Sequence, residues 1–238
     1  MDWEPFVFRH EGRLIGMREH AADKDNADGD LPEVNRFALR PLSRSEFAVF
    51  TLDLCHDQVD RHFSRFPMEE LEKIDRMVPG RPLMERHDLR GTLPRGTFFR
   101  STLHRDDGRV SVRPDVYVLR TQDNADFILN IEGGVYRETS IGFSFRMPEC
   151  SVCGRDLRTC DHIPGRSYGD AACHYVMRDV LEVIEGSVVS SGSQGTGFVA
   201  RELEKERAPR GIAEALAAAR AAYHEPVELW TRRLWADE

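Results

Sequence analysis

Three short segments carry side chains that can do acid–base and nucleophilic chemistry. Pro82-Leu83-Met84-Glu85-Arg86-His87-Asp88 presents a histidine after an apolar run, and Pro94-Arg95-Gly96 follows it. Ser140 stands in Thr139-Ser140-Ile141-Gly142-Phe143, and Glu185 opens Glu185-Gly186-Ser187-Val188-Val189. A serine hydroxyl is a weak nucleophile until a base within hydrogen-bond reach takes its proton. Histidine titrates near neutrality and can take and return that proton. A carboxylate on the far ring nitrogen fixes the tautomer and stabilises the imidazolium that forms. His87, Ser140 and Glu185 supply those three roles. Two competitors stay open: Ser144, on the same strand face as Ser140, and Glu182, just before Glu185. By residue type alone the bland roles also stand, a surface histidine and a serine facing water from an alternating strand.

The cysteines offer a second kind of site. Cys55 is isolated, while Cys150, Cys153, Cys160 and Cys173 fall together. An odd count, local clustering and no basic-then-apolar leader in Met1-Asp2-Trp3-Glu4-Pro5 point to metal-binding thiolates rather than a disulfide framework. Cys150-Ser151-Val152-Cys153 followed by Cys160-Asp161-His162 reads C-x2-C-x6-C-x-H, a donor set suited to tetrahedral Zn²⁺. Gly154 and Pro164-Gly165 let the chain turn sharply after each pair. Four protein ligands leave no open position, so the metal is expected to be structural, stapling an insert too polar to fold alone. Cys173 and His174 are spare candidates, either of which could replace His162.

These sites need a scaffold. The chain has 238 residues, 40% hydrophobic and 31% charged, with a net charge of −8. That size supports a genuine core. The acidic balance argues against free nucleic acid as principal partner, and no apolar run approaches the roughly 18 residues that span a bilayer. A soluble intracellular protein is expected. Residues 1–44 read as an arm with one short strand around Phe6–Phe8 and an acidic loop over Ala21–Asp30. Phe47–Leu54 reads as a buried strand, and Pro67–Met77 as a helix stopped by Pro79-Gly80. Gly96–Leu103 and Arg113–Leu119 read as strands, with Asp106-Asp107-Gly108 as a hairpin turn. Asn124–Ile131 reads as a helix with Asn124 as its N-cap, and Thr139–Phe145 as a strand with Ile141, Phe143 and Phe145 on one face. Beyond the cysteine insert, His174–Met177 and Val180–Ser190 give two more strands, then a Gly/Ser loop. Arg201–Arg207 and the Ala-rich Ile212–Tyr223 predict a helical C-terminal tail. The expected class is α+β, organised as an arm (1–44), a strand-rich domain (45–200) with a zinc-binding insert (146–173), and the tail (201–238).

Taken together, the catalytic segments resemble the prohead (capsid maturation) proteases of tailed bacteriophages. The resemblance rests on Val59-Asp60-Arg61-His62 after the first core strand, the apolar run ending in His87, Ser140-Ile141-Gly142-Phe143 after a helix and glycine turn, and Val183-Ile184-Glu185-Gly186-Ser187-Val188-Val189. It spans roughly residues 45–200. It implies an assemblin-like fold, a small, mostly antiparallel β-barrel flanked by helices and related to herpesvirus assembly proteases. It also implies a serine endopeptidase that cuts scaffold and capsid-protein segments inside the procapsid, in the host bacterial cytoplasm, with retention in the virion as an option. His87 is then the base, Ser140 the nucleophile and Glu185 the third member, with Glu182 the runner-up. Partners implied are the major capsid protein and scaffold, the portal or other virion proteins, and further copies of the chain. No membrane or direct nucleic-acid binding is expected. The oxyanion donors would be backbone amides or an arginine, Arg137 being the one in view.

Two features depart from that pattern. The cysteine insert follows the nucleophile strand directly, and its place beside the site leads to the expectation that it shapes substrate access or docks to capsid or portal. Gly186 stands where a β-branched residue is usual, leaving room for close packing. The competing reading is a zinc-stapled structural or assembly protein of a phage particle that no longer cuts, favoured by the Ala-rich tail with Trp230 and Trp235. An unrelated zinc-containing hydrolase or binding module comes third. Arg61 and His62 are expected to order a turn, Trp3, Phe98 and Phe99 to anchor a core or interface, and His56 beside Cys55 to have no metal role.

Overall fold

The hairpin signal at Asp106-Asp107-Gly108 marks the centre of the sheet. Two long strands, β5 (Gly96–Asp106) and β6 (Arg109–Leu119), pair antiparallel across it, and both Asp107 (φ 46°) and Gly108 (φ 75°) adopt the left-handed backbone that a two-residue hairpin requires. The computed structural model describes residues 27–199. Trp3, the expected strand at Phe6–Phe8, the helical tail and Trp230/Trp235 lie outside them.

Around this hairpin the chain order is α1 (Ala27–Asn35), β1 (Phe47–Thr51), β2 (Cys55–His56), β3 (Ser64–Arg65), α2 (Met68–Met77) and β4 (Pro82–Glu85) ahead of β5 and β6. After them come α3 (Ala125–Glu132), β7 (Glu138–Cys150), a small hairpin β8 (Ser167–Tyr168) and β9 (Ala171–Ala172), and β10 (Tyr175–Val189). β1 and β2 pair with β6, β5 with β4, and β10 with β4 and β3 on one side and β7 on the other. Only the β10 contacts to β3 and β4 are parallel. The class is therefore α+β with a mostly antiparallel sheet. Among the described residues no closed barrel forms: the ladders end at β1 and β7, joined there by isolated bridges from Gly197 to Glu138 and from Phe198 to Leu52. Val199 N–H to Thr51 O (2.8 Å) and Asp53 N–H to Gly197 O (2.9 Å) complete this narrow seam.

Leu71 and Ile74 of α2 are fully buried against the sheet, with Phe66, Leu83, Phe98 and Val183. Their burial contributes about 1.5–3 kcal/mol per side chain. Gly80, at φ 89°, ends the helix region as its sequence requires. Gly186 also behaves as expected: a Cβ there would lie 2.6 Å from the Phe98 ring, so only glycine lets β10 approach it.

Two local expectations give way to tertiary contacts. The acidic stretch expected as loop through Asp30 becomes helix from Ala27. The Arg100 guanidinium bonds Asp30 (3.0 Å), Glu33 (3.2 Å) and Asp115 (2.5 Å), tying α1 carboxylates to the sheet. The two strands expected on either side of Arg178-Asp179 are one strand, bulged between Val180 and Glu182 with Asp179 at φ 56°. Glu70, buried on α2, accepts the amides of Asp179 (3.1 Å) and Val180 (2.9 Å), so the break is stitched from another element. Asn124 occupies the expected N-cap position, but its side chain donates to Leu119 O (3.0 Å) instead of capping.

Candidate functional site

β4 delivers His87 through an unusual turn. Asp88 N–H closes onto Glu85 O (3.0 Å), and both central residues, Arg86 (φ 55°) and His87 (φ 57°), are left-handed without being glycine. Consecutive left-handed positions normally call for Asn-Gly, and non-glycine residues there cost on the order of 1–3 kcal/mol each. Neighbours hold the turn in place: Arg86 N–H donates to Val188 O (2.9 Å), and His87 N–H donates to the Ser187 hydroxyl (3.0 Å). Such strain is retained where the surroundings over-determine it, commonly at functional sites.

The turn lays His87 over β10. Its Nδ1 lies 2.6 Å from Glu185 Oε1, and the other carboxylate oxygen accepts the Ser187 hydroxyl at 2.6 Å. Glu185 is 1% and Ser187 0% exposed, whereas the His87 side chain is 40% exposed. A carboxylate can only accept here, so Nδ1 carries the proton, and in the neutral ring Nε2 keeps the lone pair. The Glu185 hydrogen bond holds the His87 pKa above its ordinary value, outweighing the opposing effect of burial. Gly142 lies opposite Glu185, and a Cβ there would run into the carboxylate, 3.0 Å from Cδ and closer to Oε1. The glycine of Ser-Ile-Gly-Phe is thus the space that the acid occupies.

Ser140 lies directly across from Ser187 in the β7/β10 pair and is half-buried. Directly opposed residues share a face with Cβ atoms about 4.5–5.5 Å apart, so Ser140 sits on the same face as Glu185, Ser187 and Gly142. Ile141 and Phe143 alternate with these and pack against the core. Among the described residues, the His87 side chain bonds Glu185, its backbone bonds Ser187 and Leu89, and no hydrogen bond joins it to Ser140. Ser144 is displaced further along β7, opposite Glu182. Glu182 is 54% exposed at its side chain and pairs with Arg81 (3.3 Å), away from His87. Arg137 donates to Gly134 O (2.5 Å), on the loop before β7. A cleft of about 330 Å³ opens beside His87 and Glu185, walled by Leu89, Ile141, Phe143 and Ile184.

No family model matches this chain, and no curated protein or solved structure matches it.

The metal-type cluster forms where β7 ends. One potential ligand atom from each of Cys150, Cys153, Cys160 and His162 lies within 4.8 Å of all the others. Burial pushes the Cys150 thiol up, but the amides of Cys153 and Val152 more than offset it and bring the value down to about 7. The Arg155 amide likewise lowers Cys153. Backbone N–H groups aimed at sulfur favour the thiolate that a metal needs. His162 packs edge-on against Tyr168 (4.6 Å), and its buried Nδ1 has no hydrogen-bond partner among the described residues. Three sulfurs, two of them in surroundings that favour the thiolate, and an orphaned ring nitrogen fit a metal ion, compatible with structural zinc. Of the spare candidates, Cys173 Sγ lies 3.9 Å from Cys150 Sγ, and His174 Nδ1 faces Ala172 O at 3.5 Å.

The insert starts far along the ladder from Ser140. Cys150 pairs near Tyr175, while Ser140 pairs with Ser187 at the opposite end of the same ladder. The intervening stretch of β7 corresponds to roughly 30 Å of strand at ~3.3 Å per residue. Adjacency in sequence therefore does not place the insert over the catalytic-type residues.

The remaining segments take the bland roles expected. The Asp60 carboxylate accepts the His62 amide (2.9 Å) and the Ser64 amide (2.8 Å), and Arg61 bonds the Ser191 hydroxyl (2.7 Å), ordering a turn. His56 Nδ1 accepts the Gln58 amide (3.1 Å) and Nε2 meets Gln194 O (2.9 Å), leaving no nitrogen for a metal. Phe98 and Phe99 are buried. The partner that sequence reasoning passed over is Ser187. Its hydroxyl is quoted in a motif, but only the turn at His87 reveals what it touches.

Proposed function

We propose that the protein is a serine endopeptidase in which His87 is the general base, Glu185 orients it and Ser140 is the nucleophile. The observation that carries this reading is the hydrogen-bonded His87–Glu185 pair on a strained turn, across β10 from Ser140. His87 Nε2 takes the hydroxyl proton as Ser140 Oγ attacks a peptide carbonyl. The imidazolium then returns that proton to the departing amine, leaving an acyl ester on Ser140. His87 next deprotonates the water that hydrolyses the ester, and the proton passes back to Ser140 Oγ. Glu185 keeps Nδ1 protonated throughout and stabilises the charge. The absent Ser140–His87 hydrogen bond is compatible with this, since such contacts often tighten only when substrate binds.

The resemblance to prohead proteases supplies the biological part of the proposal: an assemblin-like, open-seamed sheet fold acting on scaffold and major capsid protein inside a procapsid. A Zn²⁺ held by Cys150, Cys153, Cys160 and His162 would staple the far end of the β7/β10 ladder. That separation favours a docking role for the insert, toward capsid or portal, over a gating one. The test is a fluorophosphonate probe followed by peptide mapping, alongside co-expression with the capsid protein. Label on Ser140, lost in Ser140→Ala and His87→Ala, is the expected result, and capsid processing that persists in Ser140→Ala excludes it as nucleophile.

A second reading is a zinc-stapled assembly protein that no longer cuts. The observation favouring it is the same missing Ser140–His87 hydrogen bond, and failure of any serine to take the probe would select it.

A further inference from the structure

We infer that Ser187 is a positioning residue, whose hydroxyl fixes the Glu185 carboxylate and the His87 backbone relative to each other. This rests on reading His87 and Glu185 as base and acid. An amide N–H only donates and a carboxylate only accepts, so the hydroxyl direction is forced. Its proton goes to Glu185 Oε2 (2.6 Å), and a lone pair receives the His87 N–H (3.0 Å). Ser187 therefore touches both partners at once, on the main chain of one and the side chain of the other.

Nothing intrinsic would supply that alignment. The last torsion of a glutamate is broad, so its carboxylate plane is set by what the oxygens bond. Gly142 provides a floor but no hydrogen bond from a side chain. The His87 backbone, left-handed at φ 57°, also needs a tether, and its amide has this one. Ser187 is 0% exposed, so water cannot replace the hydroxyl without rearrangement.

The test uses the full chain with Ser187→Ala and Ser187→Thr. The His87 ring protons are titrated by NMR, and the rate of fluorophosphonate labelling is followed against pH. Ser187→Ala is expected to bring the His87 titration down toward the free value near 6.5 and slow labelling about 10- to 100-fold, the scale of one hydrogen bond to a charged group. Ser187→Thr, which keeps the hydroxyl, is expected to retain most of both. A Ser187→Ala protein that melts earlier while His87 titrates unchanged or higher overturns the inference. Should that variant not fold, the unmodified protein decides: a slowly exchanging Ser187 hydroxyl proton close to the His87 amide is expected, and its absence refutes the contact. The titration needs no turnover, so it stands even if Ser140 proves inert. Normal labelling of Ser140 in Ser187→Ala sinks this inference alone.

Discussion

Replacing Gly142 by alanine probes the acid–base pair without touching any of its members. Gly142 lies within β7 and its backbone is not left-handed, so alanine brings no conformational strain. The new Cβ would sit 3.0 Å from Glu185 Cδ and 3.2 Å from Cγ, with Oε1 nearer still. Comfortable carbon–carbon contact needs about 3.5–4.0 Å, so the carboxylate must withdraw on the order of 1 Å. If that movement lies along the hydrogen bond, the 2.6 Å contact to His87 Nδ1 opens to about 3.6 Å and ceases to be one. Misplacement of that size costs about 100-fold in reactivity. Folding is expected to lose about 1–3 kcal/mol through overpacking, a shift that thermal melting resolves. The second-order rate of fluorophosphonate labelling of Ser140 reads the chemistry. Adding Glu185→Asp, one methylene shorter, should recover part of the lost rate by making room for the new methyl. Labelling at the unmodified rate in Gly142→Ala would refute the proposed dependence of Ser140 on an aligned Glu185.

Three other outcomes follow from the geometry. Arg86→Gly should raise stability by up to about 1 kcal/mol, because it relieves a left-handed backbone at φ 55°, and an unchanged or lower melting temperature would argue against strain there. The raised His87 pKa acts in opposite directions on stability and rate. Its stabilising charge is fully present below the unfolded value near 6.5 and lost as pH rises through the higher folded value, while labelling should increase over that same rise as neutral imidazole appears. Glu185→Gln should flatten the stability change, and an acid limb at or below about 6.5 would contradict the assignment. Finally, metal analysis should find one zinc per chain, lost in Cys160→Ser. Chelation should open the 150–173 insert to limited proteolysis, and a metal-free protein equally resistant would remove the metal from the account.

Much of the scaffold was legible because its signals are local. The Asp107-Gly108 hairpin, the amphipathic face of α2 and the alternation of Ile141 and Phe143 depend on neighbours two to four residues away. The metal cluster was legible for the same reason, since C-x2-C and C-x-H pairs close within short turns. Misreadings came where a distant side chain intervened. Arg100 turned an acidic loop into helix, and Glu70 held one strand through a bulge that reads as a break. Ser187 was invisible as a partner because its role depends on the left-handed turn that carries His87, and nothing in Arg86-His87 advertises such a turn.

The residue order by itself determined which chemical groups exist: a base, a hydroxyl, carboxylates and a set of soft metal ligands, the last beside the turn-forming residues they need. Which groups meet was decided only by strand pairing. The β7/β10 alignment sets Ser140 against Ser187 and Gly142 against Glu185, while putting the cysteines at the other end of the same ladder. It also separates Glu185 from Glu182, since bulges in β10 shift their positions along β7. Pairing of strands far apart in the chain depends on the whole core they bury, and no short stretch of sequence contains that information.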